Sequence, residues 1–142
     1  MREIKFRAWD REEKRMTDAN FSISRHGKIW WLNSDGALCG AFENPSYAPH
    51  YPLQSGFVLM QFTGLKDKNG KEIYEGDILA INNISNIKYE VRFGNYEPYG
   101  SNERQQGFYL YDDSDNSTIP LTENYKIVGN IYENPELLGG GK

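Results

Sequence analysis

The segment from residue 59 to residue 81 limits the fold of this chain more than any other part of the sequence. It opens with apolar residues that favour strands, passes through Asn69-Gly70, and ends in the apolar run 78–81. Asn-Gly is the preferred pair for a two-residue type I′ hairpin turn, because both central residues of that turn need positive φ angles. The segment therefore predicts a strand, a tight turn at Asn69 and Gly70, and a second strand.

A second turn signal, Gly76-Asp77, stands directly before the apolar run that ends this segment. Glycine adopts backbone angles that are closed to other residues, and an aspartate side chain can accept hydrogen bonds from nearby backbone amides. We therefore expect structural roles in turns for these two residues, as for Asn69 and Gly70.

Composition places the chain among soluble globular proteins. It has 142 residues, of which 38% are hydrophobic and 25% are charged. That is enough for one sizeable core, or for two small subdomains that share one. No apolar run reaches the length of a membrane span, and the N-terminus lacks the apolar core of a signal peptide. We therefore expect no membrane partner.

Charge and cysteine content narrow the classes further. The formal net charge of −4 argues against a protein that coats nucleic acid, since such binding depends mainly on lysine and arginine. The single cysteine, Cys39, has no intramolecular disulfide partner and is expected to be a small buried residue in a reducing compartment. These features predict a cytoplasmic protein.

Alternation near the N-terminus predicts a β-hairpin. Residues 2–10 read as a strand whose buried face carries Ile4, Phe6 and Ala8. A charged turn follows, and a short return strand is expected at residues 16–17.

A second hairpin and a connector follow in the sequence. The segments 21–25 and 28–32 flank a His-Gly pair and predict two paired strands. Residues 33–56 are rich in Asn, Ser, Gly, Pro and Tyr, and their prolines exclude a long helix or a central strand. We therefore expect residues 1–56 to form an N-terminal hairpin unit with a Pro-rich connector.

The C-terminal part of the chain predicts a small β-barrel. Short apolar or alternating runs recur at close spacing, as is typical of all-β barrels. They predict strands at 87–93, 108–111, 119–121 and 126–132, with polar segments at 94–107 and 112–118 between them. We expect a mostly β (α+β) chain with an SH3-like barrel at 57–138, an OB-like barrel being the nearest competitor. Residues 139–142 are expected to be a disordered tail.

Three sequence blocks resemble a known family. They are Met1-Arg-Glu-Ile-Lys-Phe-Arg-Ala-Trp-Asp10, the segment 60–79, and Val128-Gly-Asn-Ile-Tyr-Glu-Asn-Pro-Glu-Leu-Leu138. Together they resemble the YopX family of bacteriophage and prophage proteins. The resemblance implies a phage or prophage origin, and hence a place of action inside the host bacterium.

Two groups of acidic residues are candidates for metal binding or catalysis. The segment that begins at Asp113 lacks the glycine and glutamate of a calcium-binding loop, because Thr118 and Asn124 stand at those positions. Glu72, Glu75 and Asp77 are the candidates for a metal-dependent hydrolase, although no histidine or cysteine accompanies them. We predict no catalytic residue, no resident metal and no cofactor.

Exposed aromatic residues suggest binding. Our candidates are Trp31, Tyr96, Tyr99, Arg104 and Tyr109. Aromatic rings beside arginine can stack single-stranded bases, but tyrosine and arginine are also enriched at protein interfaces. The negative net charge favours the protein partner.

The leading hypothesis is therefore a non-catalytic interaction protein that modulates a host or phage component. We also expect a homo-oligomer, since exposed strand edges in a small chain favour self-association. The alternatives are a nucleic-acid-binding module and the metal-dependent hydrolase.

Overall fold

The computed structural model describes residues 3–11, 14–17, 21–23, 29–31, 57–81 and 86–139. The chain divides into two compact units, one of Met1–Phe6 with Met60–Lys142 and one of Arg7–Leu59. The described residues form eleven strands and one short helix, so the mostly β prediction is confirmed. No helix among them is long and apolar enough to cross a membrane.

The unit Arg7–Leu59 contains two antiparallel strand pairs. Strand β1, Phe6–Asp10, pairs with β2, Arg15–Thr17, so the predicted return strand is present. Strand β3, Phe21–Ile23, pairs with β4, Ile29–Trp31. The side chain of Trp31 lies outside the described part of the chain, as do His26, Cys39 and the connector 33–56.

The prediction of one buried face in β1 was wrong. Ile4 precedes the strand and is 68% exposed, whereas the adjacent residues Ala8, Trp9 and Asp10 are all buried. Successive side chains of a strand point to opposite faces. Burial of three consecutive residues therefore shows that both faces of β1 are covered at its end.

In the larger unit, β5 (Phe57–Lys66) pairs with β6 (Glu72–Tyr74) through a turn that differs from the predicted type I′. Gly70 has φ 85°, but Asn69 has no positive φ. The Gly70 amide donates to the Asp67 carbonyl at 2.9 Å, and the Asp67 amide donates to the Lys71 carbonyl at 2.8 Å. This is a type I turn followed by a left-handed glycine.

The Asp67 carboxylate explains the change of turn type. Its Oδ1 accepts the amides of Asn69 and Lys71 at 2.8 and 2.9 Å, and its Oδ2 accepts the amide of Ile127 at 3.1 Å. An aspartate side chain that accepts the amide two residues later forms an Asx turn, which does not require a positive φ angle at that residue. The side chain of Asp67 therefore selects the turn that Asn-Gly alone did not predict.

A five-stranded antiparallel sheet has the order β10-β9-β8-β7-β11. Its strands are β7 Asp77–Ala80, β8 Lys88–Tyr96, β9 Gln105–Asp112, β10 Ser117–Pro120 and β11 Lys126–Asn130. One face of this sheet covers a core formed by Ile73, Leu79, Val91, Leu110 and Tyr125. The strand that follows Gly76-Asp77 lies between β8 and β11.

Strands β8 and β9 are longer than predicted. Residues 94–96 and 105–107 belong to them, with Gly94 opposite Gly107 and Asn95 opposite Gln106. The polar composition of these residues resembled a loop because this end of the hairpin is largely exposed. Alternation within residues 87–93 predicts a buried Phe93 and an exposed Glu90. This prediction was wrong, since Phe93 is 48% exposed and Glu90 is buried.

Residues of the three family-like blocks meet in the larger unit. The Phe62 amide donates to the Lys5 carbonyl at 2.8 Å, and the Ile131 amide donates to the Gly76 carbonyl at 2.9 Å. Gly76 has φ 82°, and a Cβ there would lie 3.3 Å from Met60 Sδ. The blocks therefore build one connected framework.

The chain after β11 turns back on itself and ends in a single helical turn. Asn130 Oδ1 accepts the amides of Tyr132 and Glu133 at 3.1 and 2.9 Å. Helix α1, Glu136–Gly139, follows. Gly139 therefore belongs to the helix and not to the predicted tail, whose remaining residues 140–142 are not described.

Candidate functional site

One face of strands β8, β9 and β10 carries a row of aromatic and polar side chains. Residues directly opposite one another in an antiparallel pair lie on the same face, and Val91 and Leu110 point into the core. The alternate positions therefore lie on the other face. We call this surface the aromatic face; its residues are Glu90, Arg92, Tyr96, Tyr109, Tyr111 and Thr118.

Two tyrosines stack near the end of the hairpin. The ring centroids of Tyr96 and Tyr109 are 4.7 Å apart, with 20° between the ring planes. The pair Gly94 and Gly107 lies between them on the same face. Because neither glycine has a side chain, the two rings can reach each other across this pair.

Tyr96 itself is mostly enclosed. Its side chain is 9% exposed, and its hydroxyl donates to Gln105 Oε1 at 3.0 Å. It therefore forms a fixed wall of the aromatic face, and Tyr109, which is half-buried, presents the accessible ring of the pair.

A cation lies over a third tyrosine. The Arg92 guanidinium is 3.7 Å from the centroid of the Tyr111 ring and forms an ion pair with Glu90. Burial acts to lower the pKa of Arg92, but the hydrogen bond to Glu90 and the charge of Glu90, with smaller contributions from Tyr109 and Tyr111, together outweigh it, so the pKa lies above its ordinary value. Arg92 is thus a charged but locally neutralised cation.

The connection between β8 and β9 folds back onto β10 and forms a groove. The Tyr99 amide donates to the Thr118 carbonyl at 2.8 Å, and Thr118 Oγ1 donates to the Glu97 carbonyl. The groove has a volume of about 530 Å³ and is lined by Asn95, Tyr96, Glu97, Arg104, Asn116 and Thr118. Tyr99, which helps to form it, is 81% exposed.

The second arginine near this surface is also paired. Arg104 Nε donates to Glu97 Oε1 at 3.2 Å, and both side chains are exposed. Exposed pairs of this kind contribute about 0–1 kcal/mol. The contact therefore orients Arg104 and reduces its local charge without adding much stability.

The segment that carries the groove is strongly acidic. Residues 94–124 contain one arginine and six acidic residues, Glu97, Glu103, Asp112, Asp113, Asp115 and Glu123, a net charge of −5, whereas the whole chain carries −4. Asp112 is buried and accepts two hydrogen bonds from Ser114 through Oδ1. The other five carboxylates lie at or near the surface.

The structure brings most of the predicted binding residues together. Tyr96 and Arg104 line the groove, Tyr109 stacks on Tyr96, and Tyr99 lies in the connection that forms the groove. Trp31 belongs to the other unit.

The aromatic face and its groove also contain residues that were not among the predicted binding residues, including Arg92, Tyr111, Asn116 and Thr118. The alternation of β8 and β9 could have found Arg92 and Tyr111. No pattern in the sequence indicates Asn116 or Thr118, because their positions depend on how the connection folds back.

The carboxylates considered for a hydrolase hold separate structural contacts. Glu72 Oε1 accepts Lys5 Nζ at 2.5 Å, and this hydrogen bond lowers the pKa of Glu72. Asp77 Oδ2 accepts the amide of Tyr74 at 2.8 Å.

Glu75 lies in a third environment. Its Oε1 accepts the Gln61 amide at 3.1 Å, and burial raises its pKa. Within the described residues, no three His, Cys, Asp or Glu side chains gather in a metal-binding group. The geometry therefore gives the hydrolase hypothesis no support.

Comparisons with known proteins agree with this architecture. Residues 5–139 match the family model described as YopX protein. The chain is also similar to a solved structure, protein EF1440 from Enterococcus faecalis, with 27% sequence identity, a TM-score of 0.58, and coverage of 97% of this chain and 99% of that chain. No curated protein matches the chain. On the family match, which spans nearly its whole length, the chain belongs to the YopX protein family.

Proposed function

We propose that this YopX family member is a non-catalytic protein-binding module whose binding surface is the aromatic face with its groove. One observation carries the proposal: the accessible tyrosines lie in the most acidic part of the chain, and both nearby arginines are paired with glutamates. Tyrosine and arginine are enriched at protein interfaces, where a rigid ring contributes a large contact area.

The same observation argues against the nucleic-acid alternative. Binding to a phosphate backbone needs cations that are free to replace counterions. Arg92 forms an ion pair with Glu90, and Arg104 forms one with Glu97. Five further carboxylates lie in residues 94–124. The surface that carries the tyrosine rings would therefore repel a nucleic acid, although its bases could stack on those rings.

The proposal places the protein in the cytoplasm of a bacterium that carries the phage or prophage, with a host or phage protein as the partner. It retains the SH3-like barrel as the architecture of the C-terminal part and the hairpin unit as that of the N-terminal part. The curled path that brings the β8–β9 connection onto β10 supports a barrel-like arrangement.

Self-association remains part of the proposal, but the edges of the five-stranded sheet give it little support. On β10 the Thr118 carbonyl accepts the Tyr99 amide, and beside β11 the Tyr125 carbonyl accepts the Lys68 amide at 3.0 Å. Bonds of this kind occupy groups that an added strand would need.

A pull-down from host lysate, with and without nuclease, tests the proposal. Tyr99→Ala removes an 81% exposed ring from the connection that forms the groove, and Phe93→Ala removes a 48% exposed ring on the opposite face as a matched control. We expect the parent chain and Phe93→Ala to capture proteins that stay bound after nuclease treatment. Tyr99→Ala should lose these proteins. If nuclease releases every specific partner, nucleic-acid binding becomes the better account.

A further inference from the structure

We propose that the partner segment bound at the aromatic face is basic, an extended stretch of a partner protein that presents lysine or arginine side chains. The inference rests on the proposed function and names the chemistry of its partner. It comes from the charges around the groove and from a contact that the chain already makes on the same face.

The rim of the groove is negative. Glu97 lines it, while Glu103 and Asp115 directly flank the lining residues Arg104 and Asn116 in the chain. Hydrogen bonds from Ser117 lower the pKa of Asp115, so this carboxylate is ionised at neutral pH. Arg104 is the cation among the described lining residues, and it is paired with Glu97.

The aromatic face already shows how it accommodates a cation. Arg92 lies over the Tyr111 ring while its Nε contacts Glu90, so the guanidinium is held between a ring and a carboxylate. A cation over a tyrosine ring is attracted by the electrons of that ring. The groove repeats this combination of rings and a carboxylate. Tyr109 stacks on Tyr96, which lines the groove with Glu97, and Tyr99 lies in the connection that forms the groove.

Acidic partners fit the groove less well. Among the described residues of the groove, Arg104 is the cation that could receive a carboxylate, and its approach would pass Glu97, Glu103 and Asp115. Complementary charge sets partner choice and encounter rate more than it sets affinity. The excess of carboxylates therefore selects a basic segment over an acidic one.

Binding of synthetic peptides to the nitrogen-15-labelled protein, followed by NMR, tests the inference. The probes are (Arg-Ser)₅, (Glu-Ser)₅, (Gln-Ser)₅ and a ten-residue oligothymidylate. We expect (Arg-Ser)₅ to shift the amides of residues 95–97, 104 and 116–118 and the other probes to leave them in place.

Two double variants separate a local site from general attraction. Glu103→Gln with Asp115→Asn removes two charges at the rim, and Glu133→Gln with Glu136→Gln removes two exposed charges elsewhere. Each exposed pair accounts for about a 1.4- to 5-fold change in affinity, so the rim variant should weaken binding about 2- to 25-fold. The control should change it little.

The outcomes divide as follows. Stronger binding of (Glu-Ser)₅ or (Gln-Ser)₅ at the same amides overturns the basic partner and leaves the protein-binding function standing. Equal weakening by both double variants, or no binding of any peptide, also overturns the basic partner. Binding of the oligothymidylate at these amides overturns both the basic partner and the proposed function.

Discussion

The carboxylate of Asp67 should be a major determinant of stability, because it joins the β5–β6 turn to β11. Asp67 is 6% exposed and accepts three backbone amides, those of Asn69, Lys71 and Ile127. The amide of Ile127 lies 60 residues away in sequence, so its bond is a tertiary contact. Together with the bond from Lys68 to the Tyr125 carbonyl, it covers the outer edge of β11.

Two substitutions separate the tertiary bond from the local ones. Asp67→Asn keeps an oxygen for the turn amides but places an amide group against the Ile127 N–H, which loses its acceptor. An unsatisfied buried donor costs about 1–3 kcal/mol. Asp67→Ala also removes the two turn bonds, but Asn69 and Lys71 are exposed and their amides can donate to water instead. We therefore expect the free energy of unfolding to fall by about 2–4 kcal/mol in total.

Urea unfolding followed by circular dichroism measures these losses at pH 7. Asp115→Asn serves as the control, because Asp115 caps a turn amide in an exposed turn without a tertiary bond. If Asp67→Asn unfolds within about 0.5 kcal/mol of the parent chain, a range typical of surface substitutions, the tertiary bond does not stabilise the fold and the reasoning fails.

The pH dependence gives a second check on Asp67. Burial acts to raise the pKa of this carboxyl, but the three amide hydrogen bonds outweigh it and the pKa lies below its ordinary value of 3.8. The folded state therefore gains stability from Asp67 above the unfolded pKa and loses it as the pH falls through the folded pKa. The difference between the parent chain and Asp67→Asn should thus be full at pH 7 and shrink below about pH 4.

Three further predictions concern the core, a tight contact and an ion pair. Leu110→Ala should cost about 2–5 kcal/mol, because it leaves a cavity in the fully buried core; a smaller loss in urea unfolding would place Leu110 outside a rigid core. Gly129→Ala should cost about 1–3 kcal/mol, since a Cβ would lie 2.6 Å from Asn134 Oδ1. The double variant Gly129→Ala with Asn134→Ala should lose less stability than the sum of the two single variants, and strict additivity would contradict the contact. Glu72→Gln should cause a small loss of stability at neutral pH, because the Lys5 hydrogen bond that lowers the Glu72 pKa needs the ionised carboxylate. This loss should shrink as the pH falls below the unfolded pKa, vanish once the pH has passed the folded pKa, and weaken at high salt; a loss independent of pH and salt would contradict this.

The strands could be predicted from the sequence, but their faces and ends could not in every case. Alternation predicted β8, since period two survives wherever one face is buried, and the aromatic and apolar run 108–111 predicted β9. It failed at Phe93 and Glu90, because an exposed hairpin end leaves Phe93 without a core and the ion pair with Arg92 permits burial of Glu90. The turn at Asn69 was mispredicted because the deciding residue, Asp67, lies outside the Asn-Gly pair.

The proposed binding surface was predictable as a set of residue types and not as an arrangement. Tyr96 and Tyr109 are 13 positions apart in sequence, and their stacking depends on the register of β8 with β9. That register runs without a shift from Tyr89 opposite Asp112 to Tyr96 opposite Gln105, and Tyr96 lies in the part whose polar composition resembled a loop. The fold-back of the β8–β9 connection onto Thr118 is a long-range contact that no local pattern contains.

The framework built by the three family-like blocks has a consequence for how partners are chosen. Gly76 joins β8 and the end of β11 through its amide and carbonyl, while the groove lies wholly within residues 94–124, between the second block and the third. The proposed recognition surface is therefore carried largely by an insert whose two ends are anchored in the framework and whose Leu110 belongs to the shared core. Exchange of residues 94–124 between two family members should transfer partner preference where the residues that pack in this core are kept.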